Sequence, residues 1–312
     1  MTEYHEEPGV SCTVITPPPP PAGAGEPSTP RALRLGDLLA EWEADATAAH
    51  LALTTGQARG PVSPFPSLTC AMGGAFWPGL HIMHGQPGAG KTAFALQVAA
   101  SCGCPCLFIS CEMAALELMR RITARLTGIY LGRLKSGELA PAESLDLARA
   151  AAAKAPLLTI ADATQAYASR GWIIQQALRC KGEAPYVLVI VDSLHSWAEA
   201  DPTATTEYET LNAGILALRS IAGAVNAPVL AVAERNRASM KEGGLSAGAG
   251  TRKIEYGAET VIDLERPKGA SAEPDMQGEV EISVKLSKNR HGSPGKSFSL
   301  LFHGALQRFR EG

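Results

Sequence analysis

The chain has 312 residues and a formal net charge of −3, with 46% apolar, 19% charged and 5% aromatic residues. Those figures describe a chain able to bury a full core, and they exclude a surface coated uniformly for nucleic acid or anionic lipid. No apolar run reaches the ~18 residues of a membrane span, and no basic, apolar leader opens the chain. Seven cysteines do not suggest a disulfide framework. The composition therefore reads as a soluble cytoplasmic protein without a membrane partner.

Residues 1–30 contain five consecutive prolines, Pro17 to Pro21, followed by Ala-Gly-Ala-Gly. Such a segment buries too little apolar area to offset its ordering entropy, so a disordered tail is expected. Residues 31–60 read as a helical arm or linker. Leu33, Leu35, Leu38, Leu39, Trp42, Ala46 and Leu51 recur at helical spacing, and Asp37 is placed to help cap the start. The arm either packs on its own domain or docks on a neighbouring subunit.

From residue 61 to 312 one domain is expected. Strand-like runs at Leu80–Met83, Cys106–Ser110, Leu157–Ile160, Tyr186–Val191 and Pro228–Val232 alternate with helix-period stretches near 91–103, 114–128, 141–154, 168–180 and 206–225. This alternation predicts an α/β fold with a mostly parallel sheet and helices on both faces. Runs at 259–264, 279–287, 297–302 and 306–310 predict an antiparallel C-terminal extension.

Gly85-Gln86-Pro87-Gly88-Ala89-Gly90-Lys91-Thr92 fits G-x-x-x-x-G-K-[ST], with a strand before it and a helix after it. Glycines let backbone N–H groups turn onto phosphate oxygens, and the helix N-terminus adds partial positive charge. Lys91 is a point charge for the β- and γ-phosphates, and the Thr92 hydroxyl suits Mg²⁺. The loop thus predicts ATP as substrate with Mg²⁺. Asp192 ends the strand Tyr186–Val191 and is expected to hold the metal with Thr92. Glu112 follows the strand Cys106–Ser110, where a carboxylate can polarise the attacking water. If that strand neighbours the P-loop strand, its end faces the γ-phosphate.

Ile109-Ser-Cys-Glu112-Met113, with the Arg-bearing helix after it (Arg120, Arg121), resembles the strand and Glu-Met helix of DnaB-type replicative helicases. Tyr130-Leu-Gly-Arg-Leu-Lys-Ser-Gly137 is similar to the segment that follows in that family. Asn236-Arg237 matches its Leu-Asn-Arg element, and Ile254-Glu255-Tyr-Gly-Ala258-Glu259 resembles its Ile-Glu-Gln-Asp-Ala-Asp turn. Lys288-Asn289-Arg290-His291-Gly292 resembles its Lys-x-Arg-x-Gly segment, and Arg308-Phe309 its terminal strand. The likeness runs from about Phe65 to Phe309.

The resemblance implies a RecA-like P-loop ATPase core assembling as a hexameric ring on single-stranded DNA. It implies that Lys288 and Arg290 reach the neighbouring subunit's γ-phosphate from the far edge of the sheet. It also implies DNA-binding loops in 240–253, whose cations are Lys241, Arg252 and Lys253. A ring repeats each cation once per subunit, so net charge −3 is compatible with a DNA partner. Three features depart from the family. Its N-terminal helical domain has no counterpart in the first 60 residues, its γ-phosphate-sensing glutamine is replaced by Glu234, and the 240–253 region is Gly-rich with only those three cations. A RecA-like regulator or a recombination or plasmid-replication partner remains the alternative, with a small-molecule kinase third.

Three weaker signals remain. Cys102-Gly-Cys104-Pro-Cys106 has metal-like spacing but no second cluster to complete four ligands. His195 reads as a spacer after Asp192, and His291 as a turn residue.

Overall fold

The computed structural model describes residues 32–202, 206–234, 257–266 and 278–312. The proline-rich tail and the expected DNA contacts Lys241, Arg252 and Lys253 lie outside the described residues, as do Asn236, Arg237, Ile254 and Glu255.

The strands are β1 (Gly79–Gly85), β2 (Cys106–Ser110), β3 (Leu158–Asp162), β4 (Leu188–Asp192), β5 (Pro228–Glu234), β6 (Thr260–Glu265), β7 (Glu279–Asn289), β8 (Ser297–His303) and β9 (Arg308–Glu311). They form a single nine-stranded sheet in the order β3-β2-β4-β5-β1-β6-β7-β8-β9. The helices are α1 (Leu39–Thr55), α2 (Pro66–Ala71), α3 (Lys91–Ser101), α4 (Ala115–Thr127), α5 (Arg133–Ser136), α6 (Pro141–Lys154), α7 (Arg170–Lys181), α8 (Leu194–Glu199) and α9 (Glu207–Val225). The central strands β2, β4 and β5 are buried almost throughout, as their continuous apolar runs require of strands covered on both faces. One core packs α3 and α4 on one face, around Phe94, Leu96, Leu118 and Ile122. The other packs α7, α8 and α9 on the opposite face, around Ile173, Trp197, Leu218 and Ile221.

Two expectations are corrected. β6 pairs parallel with β1, so the antiparallel extension begins only at β7. β2 does not neighbour β1: β4 and β5 stand between them. Strand order is set by crossover connections, not by local pattern, and here the crossover from β1 to β2 carries the chain past two lanes that β4 and β5 later fill.

The last strand is tied down by a side chain. Gln97 of α3 accepts from Phe309 N at 2.8 Å and donates to Phe309 O at 2.9 Å, so its amide stands where a neighbouring strand would. Phe309 stacks on Phe302 and meets Phe94 edge-on, which closes the sheet over the P-loop helix.

Before the domain, a 3-10 turn at Leu35–Leu38 leads into α1. Asp37 accepts from Arg34 N at 3.0 Å, which is one half of a capping box; the arginine N-cap has no acceptor to supply the other half. None of the residues in α1 is buried, and Leu39, Trp42 and Leu53 are 68%, 76% and 82% exposed. Phe76 N donates to Pro61 O, Val62 N donates to Cys102 O, and Phe65 is buried against Phe94. None of the helices described is long and apolar enough to cross a membrane.

Candidate functional site

The parallel strands β1, β2, β4 and β5 end at the same level. Ser110 pairs with Asp192, Asp192 with Val232, and Gly85 with Glu234. Ligand sites of open α/β sheets form at such carboxyl ends, and the predicted nucleotide residues gather there.

Residues Gly85 to Gly90 link β1 to α3, and Lys91 and Thr92 are the first residues of that helix. Gly90 sits at φ +81°, and a Cβ there would stand 2.8 Å from Phe309 Cζ. Both facts require glycine: the left-handed backbone and the aromatic floor leave no place for a side chain. Ala89 is buried and pins the loop to the core, while Pro87 and Gly88 remain exposed. Lys91 Nζ donates to Gly85 O at 3.0 Å and Gln86 O at 3.4 Å, which holds the ammonium inside the curl of the loop.

Asp192 is 4% exposed and hydrogen-bonded to Thr92. Burial pushes its carboxyl up to about 6, against the opposing effect of the Thr92 hydroxyl; Glu112 raises it further and Lys91 opposes. A desolvated carboxylate beside a hydroxyl at a helix N-terminus fits a divalent cation, because the cation supplies the charge that burial denies. Thr92 and Asp192 are therefore the residues that would hold Mg²⁺.

Glu112 reaches this centre although its strand is three lanes from β1. Cys111 N donates to Asp192 O at 2.7 Å, which draws the β2 end onto the β4 end. Helix α3 packs against β2 and β4, so the P-loop helix begins above the lanes that separate Glu112 from β1. Glu112 Oε1 accepts from Ser193 Oγ and from Ser196 Oγ, the latter at 3.0 Å.

Lys288 and Arg290 are not part of this cluster. Lys288 pairs with Val261 at a bulge between β6 and β7, and Arg290 follows β7 directly. Arg290 N donates to Glu259 O at 3.0 Å, and its Nη1 to Glu259 Oε1 at 2.9 Å. Glu259 precedes β6 and lies against Gly79, at the start of β1. Arg290 thus sits at the opposite end of β1 from the P-loop, roughly 20 Å away at 3.3 Å per residue. The expected position at the far edge of the sheet is corrected: β7 is an interior strand, and the separation runs along the strands, not across them. A close approach fixes this segment. Asn289 Nδ2 donates to Ala71 O at 2.7 Å, and a Cβ on Gly292 would stand 2.7 Å from that same oxygen.

Sequence reasoning missed Arg266, whose Nη1 donates to Gly88 O at 3.4 Å across the P-loop. It also missed Ser193 and Ser196. Ser193 directly follows the strand-end Asp192 and Ser196 lies three residues beyond it, but nothing local in the sequence ties either hydroxyl to Glu112. His195 is more than a spacer: its Nδ1 accepts from Glu234 N at 3.5 Å. His291 stacks on Trp77 at 5.7 Å between centroids, which adds packing to its turn role. Cys102 and Cys104 lie buried with sulfurs 3.8 Å apart, and no cluster able to hold a metal occurs among the described residues.

Residues 60–311 match the family model of the DnaB-like helicase C terminal domain. The chain is 28% identical over 184 residues to "Replicative DNA helicase DnaB" of Synechocystis, covering 57% of this chain and 21% of that protein. It is 27% identical to "Probable replicative DNA helicase" of Trieres chinensis, covering 74% of this chain and 52% of the relative. The chain therefore spans between a fifth and about half of the curated relatives it matches. Among solved structures, one ATPase domain superposes with a TM-score of 0.68 at 19% identity, covering 86% of this chain and 98% of that one. A DnaB-like replicative helicase described with its primase interactions gives 0.69 at 19% identity, covering 89% and 72%. These likenesses extend the RecA-like architecture of helicase ATPase domains to this sheet, and the match over 60–311 settles the lineage: the chain belongs to the DnaB-like helicase family through its C-terminal ATPase domain.

Proposed function

We propose that this chain hydrolyses ATP with Mg²⁺ as one subunit of a ring, most simply a hexamer, that moves on single-stranded DNA. The observation that carries the reading is the split of the catalytic set along β1. The P-loop, Thr92, Asp192 and Glu112 converge at one end, while Arg290 is held at the other, beyond reach of its own chain's nucleotide. A second copy brings the two ends together.

In this reading the P-loop backbone and Lys91 bind the β- and γ-phosphates. Thr92 and Asp192 hold the metal, which when bound neutralises phosphate charge. Glu112 orients water and accepts its proton. Arg290 of the next subunit stabilises charge on the transferred group, with Lys288 beside it. The exposed Leu39, Trp42 and Leu53 of α1 support an arm that finds its partner on another copy. Lys241, Arg252 and Lys253 are proposed to contact DNA phosphates, and Glu234, paired with Gly85, to stand where nucleotide state is sensed.

The test is steady-state ATP hydrolysis with and without single-stranded DNA, beside light scattering for mass. DNA stimulation in a six-fold assembly is expected. A monomer whose turnover ignores DNA would overturn the reading in favour of a regulatory ATPase.

A further inference from the structure

Glu112 lies in the connector between β2 and α4, and its residue is exposed. No helix or strand fixes its side chain. Two hydroxyls do: Ser193 and Ser196 both donate to Oε1 and stand 3.1 Å from each other. They come from one turn, because Ser193 is the N-cap of α8 and Ser196 lies three residues on, on the same side of the helix.

That turn is a rigid base. Leu194 and Trp197 are buried, and Trp197 Nε1 donates to Ala168 O at 2.8 Å. His195 takes the backbone N–H of Glu234 at the end of β5. The connector is tied to the same place by the bond from Cys111 N to Asp192 O. Both hydroxyls address Oε1 and neither addresses Oε2.

We propose that Ser193 and Ser196 are positioning residues that clamp Glu112 by Oε1 and aim Oε2 at the attacking water. The proposal rests on the reading of Glu112 as the water-orienting carboxylate. Hydroxyls suit the task better than a lysine or arginine: they fix direction without cancelling the negative charge that polarises water. A carboxylate free to rotate would spend much of its time out of hydrogen-bond reach, and displacements near 1 Å can cost about a hundredfold in rate.

Four substitutions in the full chain test this, with turnover and binding of a fluorescent ATP analogue measured separately. Ser196→Ala, which removes no cap, should lower kcat at least fivefold at unchanged nucleotide affinity. Ser196→Thr keeps the hydroxyl and should stay within twofold of wild type. Ser193→Asp preserves capping but cannot donate to a carboxylate, so it should lower kcat as Ser196→Ala does. Combined with Glu112→Gln, Ser196→Ala should slow hydrolysis no further, because the serine acts through the glutamate. Wild-type kcat in Ser196→Ala, or losses that multiply in the double variant, would overturn the clamp. Wild-type turnover in Glu112→Gln would instead remove the reading of Glu112 itself, whereas an inactive Glu112→Gln beside a fully active Ser196→Ala removes the clamp alone.

Discussion

The two ends of β1 are built by different means. At its carboxyl end the site is assembled from backbone: a glycine-rich loop, a helix N-terminus and strand ends in register. Lys91 is held there by carbonyl groups of its own loop. At its amino end the arrangement is made of side chains: Glu259 holds Arg290, Asn289 grips Ala71 O, and His81 is buried beside them. A phosphate cradle must be preorganised, and backbone is the stiffest material available. On the proposed reading Arg290 serves another subunit and needs only to be presented, and an ion pair to Glu259, half-exposed on the arginine side, would do that.

The largest effect should come from breaking the carboxyl end. Lys91→Ala should lower ATP turnover by about a thousandfold or more, since an oriented charge at the transferring phosphate is lost. A coupled assay on protein freed of contaminating ATPases checks it.

Breaking the amino end should cost about a thousandfold in a homogeneous ring of Arg290→Ala. The two losses differ in kind. A mixture of Lys91→Ala and Arg290→Ala subunits should recover part of the activity, because some interfaces then combine an intact P-loop with an intact arginine. Recovery should rise with protein concentration as assembly proceeds. No recovery at any ratio would place Arg290 in its own chain's site or in none.

A third experiment sharpens the contrast through stability. Burial lowers the His81 imidazole to about 4, with the Trp77 carbonyl opposing and His291 adding to the decrease. The unfolded chain takes a proton near pH 6.5, the folded chain only near 4, so stability falls as pH drops through that window. The full shift corresponds to about 3 kcal/mol. Urea unfolding between pH 7 and 4 should show a shallower pH dependence in His81→Gln than in the wild type.

The smallest effect is expected from Gly90→Ala. Placing a Cβ at positive φ against Phe309 should cost about 2 kcal/mol in thermal unfolding.

Most of the carboxyl end was legible in the sequence because its chemistry is local. One octapeptide contains the cradle, and Asp192 and Glu112 each close a recognisable apolar run. Strand positions were legible for the same reason. The lane order was not: nothing within Cys106–Ser110 records that β4 and β5 will lie between it and β1. The short helices α2 and α8 escaped because six residues carry too little periodicity to show a face. The serine clamp escaped with α8, since its meaning depends on a glutamate 81 residues earlier in sequence. For Arg290 the resemblance supplied the role, while its placement along the strand needed the sheet itself.

Gln97 has a bearing on solution behaviour. β9 ends the sheet, and an end strand offers unpaired N–H and C=O groups to any extended chain that arrives. At Phe309 both groups are already taken by one amide side chain. If the chain assembles into a ring as proposed, it needs to avoid meeting its own copies strand to strand. Gln97→Ala would unseal that edge, and the variant should form thioflavin-positive aggregates under conditions in which the wild-type chain stays clear.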